Sequence, residues 1–243
     1  FSASDSKEQG HTVPYEIYIP TIGATVDPEL KKIFEDDDVA NESPEMSDSI
    51  EDESDAAARD SALEAIQDLV PSDVGEQCGL SQQQFKAVST LSFMKEVGTN
   101  ALVKYVSTKA HARLMARYIK RVGEKYYGMD IRVETVITVD DQKVNEKIMA
   151  DFEQFLQNQT NRDDYFAIVA CQMVQAGTNL PHLNSVSVSA SSSFRAIMQR
   201  LMRACRAIEG KLRAYVLLNM ATQKEIEKAL ALIYSAAVSG ETV

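Results

Sequence analysis

Three arginines recur at every third position in the stretch MQRLMRACR, residues 198–206, and Gln199 precedes them. They are Arg200, Arg203 and Arg206. The apolar residues between them predict an amphipathic helix from Phe194 to Ile208, on which Arg203 and Arg206 share one face. Two planar, permanently charged guanidinium groups aimed at one point suit a polyphosphate better than a single carboxylate. An ordinary basic helix face is the alternative interpretation of this stretch taken alone.

Two polar turns precede the arginines, and each follows an apolar run. Ser107, Thr108 and Lys109 follow the strand predicted at Leu102–Val106. Their hydroxyls, with the free amides of a helix N-terminus, could hold a nucleic-acid phosphate. The plain alternative is that one hydroxyl only caps the helix. The second turn belongs to IVACQMVQAGTNLP, residues 168–181, whose Gly-Thr-Asn sequence is also common in ordinary α/β loops.

Strands and helices alternate regularly in the second half of the chain. The predicted strands are Leu102–Val106, Ile131–Ile137, Tyr165–Ala170, Val186–Val188 and Ala214–Leu218. The predicted helices are Ala110–Tyr126, Gln142–Gln157, Phe194–Ile208 and Gln223–Ser235. Nearly continuous apolar strands that alternate with helices are typical of an α/β protein with a parallel sheet covered on both faces. Because parallel sheets bind ligands outside the carboxyl ends of their strands, we expect both turns and the arginine helix at one edge.

The N-terminal third of the chain is less regular. Val13–Pro20 alternates apolar and polar residues, which predicts one short strand. Glu35–Asp60 is dominated by Asp, Glu and Ser, so we expect a solvated loop or a disordered linker. Helical spacing follows in Ala62–Val70, and a second helix is predicted from Ser81 to about Lys95, ending before Gly98.

The net charge of −11 combines two parts of opposite sign. Residues 1–80 hold 4 Lys and Arg against 21 Asp and Glu, a charge of −17, whereas residues 81–243 hold 21 against 15, a charge of +6. A basic globular part is therefore attached to an acidic segment, which is compatible with a phosphate-rich partner.

The cysteines and the hydropathy indicate where in the cell the protein is expected. Cys78, Cys171 and Cys205 are odd in number and far apart, which fits reduced thiols in a cytoplasmic protein. No apolar run approaches the roughly 18 residues that span a bilayer, and no secretory signal precedes the polar start. We therefore expect a cytoplasmic protein, in the cell or in a virus-infected host, that is neither secreted nor held in a membrane.

The order of these segments resembles that of superfamily 2 helicases. Gln199–Arg206 is similar to motif VI, QRxGRxxR, and residues 168–181 are similar to motif V, ATDMxxxGIDxP. Ala101–Ile119 resembles motif IV, and Phe1–Ser4, FSAS, resembles the Ser-Ala-Thr of motif III. The spacing of GTNLP and QRLMRACR is most similar to that of restriction-subunit-like and viral or phage DEAD/DEAH-type helicases.

The resemblance implies the C-terminal RecA-like lobe of such a helicase, with an acidic, partly disordered N-terminal segment. Residues 1–34 would be the end of the first lobe or an inter-lobe segment, residues 35–80 an acidic linker, and residues 81–243 the C-terminal lobe. Since the chain begins with Phe, we expect it to be a fragment or a processed product.

The family also implies roles for the site residues. Residues that match Arg203 and Arg206 reach the γ-phosphate of ATP on the partner lobe as arginine fingers. Further nucleotide contacts are expected from Gln199, Gly177, Asn179 and Arg200. Contacts to the nucleic-acid backbone are expected from Ser107, Thr108, Lys109 and Cys171. The sequence departs from the family at Cys171, which replaces Thr, at Gln172, which replaces Asp, and at Met202, which replaces Gly.

The implied function is ATP-dependent movement along nucleic acid. No GxxxxGK[ST] occurs, and no credible magnesium-binding carboxylate follows an apolar strand, so this chain alone should not hydrolyse ATP. ATP and Mg²⁺ would be held mainly by an N-terminal helicase lobe, and the other partner would be nucleic acid, with DNA favoured over RNA. The alternative is a catalytically inactive, helicase-like module that binds protein or nucleic acid as a scaffold.

Overall fold

A computed structural model describes residues 13–20, 26–35, 79–137, 142–158, 163–171, 180–189, 204–220, 226, 227 and 230. The strands are β1 (Tyr15–Tyr18), β2 (Ala101–Val106), β3 (Asp130–Ile137), β4 (Asp164–Cys171), β5 (Ser185–Val188) and β6 (Ala214–Leu218). The helices are α1 (Pro28–Glu35), α2 (Gln82–Glu96), α3 (Lys109–Lys125) and α4 (Gln142–Gln157). Every strand predicted from the apolar runs is present to within a residue or two.

The six strands form one sheet in the order β1-β6-β5-β2-β4-β3, and every neighbouring pair is parallel. All side chains of the central strand β2 are buried, as expected for a strand covered on both faces. The predicted parallel α/β architecture is therefore confirmed.

Alternate residues of the strands feed two cores on opposite faces of the sheet. On one face, Val103 and Ile168 pack with Phe152 of α4. On the other face, Val169 packs with Met115 of α3. The predicted covering of both faces is confirmed, and α3 and α4 lie on opposite sides.

Local capping fixes where α2 begins and ends. The Ser81 hydroxyl accepts from Gln84 N at 3.3 Å, and the Gln84 side chain accepts from Ser81 N at 2.9 Å, which completes a capping box. At the other end Gly98 has φ +66°, a backbone conformation that side-chain-bearing residues rarely adopt. The predicted terminator at Gly98 is confirmed.

The N-terminal part of the chain belongs to the same sheet. β1 pairs with β6 at the sheet edge, and α1 packs on α3 through an edge-to-face contact of Phe34 and Tyr118, whose ring centroids are 5.2 Å apart. Helix α1 was not predicted, although Leu30, Ile33 and Phe34 have the i, i+3, i+4 spacing of an amphipathic helix. Glu35 belongs to this helix rather than to a solvated loop. The division at residues 34, 35 and 80 stays a prediction.

Several predictions fall on residues that the structure does not describe. The predicted acidic loop beyond residue 35 and the predicted helix Ala62–Val70 lie outside the described residues. So do most of the predicted helices Phe194–Ile208 and Gln223–Ser235, although residues 226, 227 and 230 are helical. Among the described helices, none is long and apolar enough to cross a membrane.

Candidate nucleic-acid and nucleotide site

The carboxyl edge of the sheet brings three predicted residues together. Val106 and Cys171 are paired at the ends of β2 and β4, so Ser107 and Thr108 emerge beside the end of β4. The Cys171 thiol donates to the Ser107 carbonyl oxygen at 3.4 Å. The predicted contact residues Ser107, Thr108 and Cys171 therefore lie at one place, as the parallel topology required.

The Thr108 hydroxyl at this edge also caps α3. Thr108 is the N-cap residue, with extended φ and ψ of −126° and 159°, and its Oγ1 accepts from His111 N at 3.2 Å. The Ser107 hydroxyl lies 3.4 Å from His111 Nδ1. The plain capping interpretation is thus satisfied, while Lys109 stands exposed in a first turn that contains no acidic residue.

Cys171 is fully buried in the core between the sheet and α3. The family threonine at this position offers a hydroxyl to the nucleic-acid backbone, whereas this sulfur faces inward. Direct contact of Cys171 with nucleic acid stays a prediction, and its burial weighs against it.

The nucleotide-contact residues predicted around the arginines are only partly described. Gly177, Asn179, Gln199, Arg200 and Arg203 lie outside the described residues. Arg206 is described: it is exposed and makes an isolated β-bridge. Helical backbone in this region ends at Ala204, so the predicted helix to Ile208 is too long. The prediction that Arg203 and Arg206 share a helix face was therefore wrong, because Arg206 lies after the end of the helix.

Arg206 also lies at the opposite edge of the sheet from Ser107. The carbonyl of the preceding Cys205 accepts from Val13 N at 2.7 Å, and Val13 directly precedes the amino end of β1. The physical reason is topological: β5 and β6 are parallel, so the chain between them must return from the carboxyl edge to the amino edge. The prediction that all three segments meet at one edge was wrong for Arg206.

Lys211 lies beside Arg206 and was not predicted from the sequence. Its ammonium donates to the carbonyl oxygens of Pro181, at 3.2 Å, and of Leu183, at 2.6 Å. It thereby ties the turn that follows residues 168–181 to the segment that follows Arg206. Burial lowers the pKa of Lys211 to about 8; the neighbouring Arg206 contributes to this lowering, and Cys205 opposes it.

Cys205 completes this amino-edge group. It is buried, and burial raises the pKa of its thiol to about 12, although Lys211 nearby acts to lower it. The thiol is therefore neutral at physiological pH and does not neutralise the neighbouring cations. Lys211 and Arg206 form a concentration of positive charge beside the amino ends of β5 and β6.

A second missed group lies inside the sheet. Lys104 sits in the middle of the central strand, fully buried, and its ammonium donates to the hydroxyls of Ser187, at 3.2 Å, and Ser189, at 2.9 Å. Burial lowers the pKa of Lys104 well below its ordinary value of 10.5, and Lys86 lowers it further. The signal was a lysine at the centre of the otherwise apolar strand ALVKYV.

Asn219 ties this group to α2. Its side-chain amide donates to the Lys86 carbonyl at 2.7 Å and to the Thr90 hydroxyl at 2.8 Å. The end of β6 is thereby joined to the helix that precedes β2. Among the described residues, no group of three or more His, Cys, Asp or Glu could hold a metal ion.

Comparison with solved structures identifies the class of fold. The chain is similar to the ATP-dependent type ISP restriction–modification enzyme LlaBIII bound to DNA, with a TM-score of 0.61 and 11% identity, over 98% of this chain and 15% of that one. It is also similar to the Mycobacterium smegmatis helicase Lhr bound to ssDNA and AMP-PNP, with a TM-score of 0.47 and 12% identity, over 63% of this chain and 19% of that one. For domain 2 of the DEAD-box helicase Mss116p bound to an RNA duplex, the TM-score is 0.42 and the identity 13%, over 57% of this chain and 49% of that one.

These likenesses concern fold. At such identities they show the architecture alone, and the two TM-scores below 0.5 add no argument of their own. The chain spans only 15% of LlaBIII and 19% of Lhr. No family model and no curated protein matches the sequence. The parallel sheet and its LlaBIII counterpart define a RecA-like α/β fold.

Proposed function

We propose that this chain is the C-terminal lobe of an ATP-dependent nucleic-acid helicase or translocase of superfamily 2, most similar to the restriction-subunit group. The observation that carries the proposal is the helicase-type sheet with hydroxyls and Lys109 at its carboxyl edge. The segments that resemble motifs III to VI, in the order of superfamily 2 helicases, support a helicase or translocase function for that fold.

The amino-edge cations fit a polyphosphate. Arg206 is exposed and close enough to Lys211 to lower its pKa. An anion placed before Arg206 would relieve this repulsion. ATP supplies the phosphoryl group whose transfer releases the free energy for movement. Arg203 and Arg206 would contact its γ-phosphate, with Gln199, Arg200, Gly177 and Asn179 nearby.

The chain would share its substrates with an N-terminal helicase lobe. That lobe would hold most of the ATP and the Mg²⁺, because this sequence contains no GxxxxGK[ST] phosphate loop. The guanidinium groups of this lobe would be placed in advance where charge is redistributed during phosphoryl transfer, which is how arginine fingers lower a barrier.

The carboxyl edge would grip the nucleic-acid backbone. Ser107, Thr108 and the first-turn amides of α3 present hydrogen-bond donors at a helix N-terminus, and Lys109 adds a charge. Contacts of this kind are independent of base sequence, as a translocating protein requires. We favour DNA over RNA as the partner, and the free thiols of Cys171 and Cys205 fit a cytoplasmic compartment.

The test is ATP hydrolysis by the longest natural chain that contains this sequence, measured with and without DNA. We expect hydrolysis to be stimulated by nucleic acid and to fall by about 10³-fold in Arg203→Ala. The matched control is Lys147→Ala, an exposed lysine of α4 on the opposite face from α3. Equal rates for Arg203→Ala and the parent chain would refute the arginine-finger assignment.

One observation favours a second candidate, a helicase-like module without catalytic activity. The buried thiol of Cys171 cannot supply the hydroxyl contact that the family threonine makes. A scaffold would bind nucleic acid or protein without stimulated hydrolysis. Absence of ATP hydrolysis in the longest chain, with nucleic-acid binding retained, would favour this candidate.

A further inference from the structure

The outward surface of α3 carries a row of cations. Lys109, Arg113 and Arg117 lie four residues apart, and Lys120 falls on the same side of the helix. All four are exposed, whereas the opposite side, with Met115 and its neighbours, is buried. We call Lys109, Arg113, Arg117 and Lys120 the α3 basic face.

Three of the four cations of the α3 basic face lack an ion pair within the described part of the fold, whereas Arg113 has an interaction of its own. Among the described residues, no ion pair involves Lys109, Arg117 or Lys120. The single acidic residue of α3, Glu124, lies four residues after Lys120 and so shares its side of the helix, but no ion pair joins the two among the described residues. Like charges four residues apart destabilise a helix, so the arrangement is not explained by helix stability.

Helix α4 provides an internal comparison. It also has an exposed surface, but Lys143 and Lys147 there are interspersed with Glu146 and Asp151. Mixed signs are what a solvated helix surface needs. The clustering of one sign on α3 is therefore a property of that helix and not of the exposed helices in general.

The α3 basic face is continuous with the carboxyl edge. It begins at Lys109, next to the N-cap Thr108, and runs along the helix to Lys120. At 1.5 Å per residue this row is about 16 Å long, which equals the axial rise of about five base pairs of a duplex.

The face has no aromatic side chain. The aromatic residue in the middle of the helix, Tyr118, points away from this face and is buried against α1. Binding of unpaired single strands relies on aromatic stacking platforms, whereas contact with a duplex backbone needs only regularly placed cations.

We propose that the α3 basic face binds the phosphate backbone of duplex nucleic acid, next to the strand gripped at the carboxyl edge. This inference rests on the proposed function and extends it, because it assigns a duplex-contacting surface to the length of α3. The motif IV resemblance predicts contacts only from Ser107, Thr108 and Lys109, at the start of that helix. Arg117 and Lys120 are the residues that distinguish this surface from the edge.

The test compares two charge reversals in the same chain. Arg117→Glu with Lys120→Glu changes the α3 basic face, and Lys143→Glu with Lys147→Glu makes the same change on α4. Binding of a fluorescein-labelled DNA duplex with a single-stranded tail is followed by anisotropy across a salt series. Circular dichroism establishes that each variant is folded.

We expect the α3 variant to bind at least ten-fold more weakly and its log K against log salt slope to shrink by about 2, one for each lost phosphate contact. The α4 variant should bind within two-fold of the parent. The milder Arg117→Gln with Lys120→Gln should give an intermediate loss. For a single strand without a duplex, the loss of affinity should be smaller than for the tailed duplex.

Three outcomes would overturn the inference. If the α3 variant binds normally while Thr108→Asp weakens binding, the proposed function stands and only the α3 basic face fails. If neither substitution matters, or the parent chain does not bind DNA, both fail. If polyglutamate displaces the duplex as well as unlabelled duplex does, the face is a surface for acidic protein instead.

Discussion

The two edges of the sheet differ in how they present charge. At the carboxyl edge, the Thr108 hydroxyl caps α3, the Ser107 hydroxyl contacts the His111 ring, and Lys109 is the first residue of the α3 basic face. At the amino edge, Arg206 and Lys211 are adjacent, and Lys211 is fastened to two backbone carbonyls. The carboxyl edge presents hydrogen-bond donors and cations along a helix, whereas the amino edge holds two cations close together.

This difference separates the two proposed ligands. A five-residue strand is about 17 Å long, so the nucleic-acid backbone and the γ-phosphate would be held about that far apart on this lobe. Communication between them would have to pass along β5 and β6. The buried group of Lys104, Ser189 and Asn219 lies on that route, at the carboxyl ends of those strands and inside β2.

The largest expected effect separates the two edges directly. In the longest natural chain, Arg206→Ala should lower nucleic-acid-stimulated ATP hydrolysis by about 10³-fold, because a guanidinium group at the transferring phosphoryl group is lost. Its affinity for DNA should be unchanged. Lys109→Ala should do the reverse, weakening DNA binding while hydrolysis at saturating DNA is retained. If both substitutions reduce DNA affinity equally, the two edges do not have separate ligands.

The buried Lys104, which lies in β2 between the two edges, should make the stability of the protein depend on pH. Its native pKa lies well below the 10.5 of an unfolded lysine, so the unfolded chain binds one more proton in that interval. Stability should therefore rise with pH between the native pKa and 10.5, by about 1.4 kcal/mol per unit from this residue. Lys104→Met should remove that slope in urea unfolding measured at several pH values. An unchanged slope would mean that Lys104 stays protonated in the native protein.

The conservative variant Lys104→Arg supplies the control for this experiment. Arginine stays charged, so its burial should destabilise the protein at every pH without restoring the slope. The Ser187 and Ser189 hydroxyls lose their donor in Lys104→Met, so this substitution also lowers stability by a term that does not depend on pH.

The sequence predicted the sheet well because the sheet depends on local pattern. Continuous apolar runs located β2 and β4, and helical spacing gave both ends of α4 correctly. The end of the arginine helix was predicted wrongly, because apolar residues at Ala207 and Ile208 continue the helical spacing after the backbone has become extended. Only the parallel pairing of β5 and β6, a non-local fact, requires the chain to reach the amino edge there.

The missed site residues have a similar explanation. Lys104 and Ser189 are far apart in sequence and meet only because β2 and β5 are neighbours. Lys211 acts through backbone carbonyls, which no residue pattern reveals. The position of Ser107 and Thr108 at the carboxyl edge was predicted correctly, because a strand end followed by hydroxyls is a local signal.

Thr108 allows capping to be separated from phosphate binding. Thr108→Asp keeps a strong N-cap, so thermal unfolding should be unchanged or slightly improved. Its negative charge should repel a phosphate and weaken DNA binding by about ten-fold, or about 1.4 kcal/mol. Thr108→Ala should instead cost about 1 kcal/mol of stability through the lost cap. Normal DNA binding by Thr108→Asp would leave the residue with a structural role only.

The smallest expected effect concerns Cys171. Because its sulfur is buried and donates to the Ser107 carbonyl, Cys171→Ser should leave DNA affinity within about two-fold, or about 0.4 kcal/mol. The serine hydroxyl can make the same hydrogen bond, so any loss should appear in thermal unfolding and not in binding. A loss of DNA affinity above ten-fold, with stability retained, would mean that the edge opens when nucleic acid binds. That result would assign to Cys171 the role of the family threonine and would remove the main argument for an inactive scaffold.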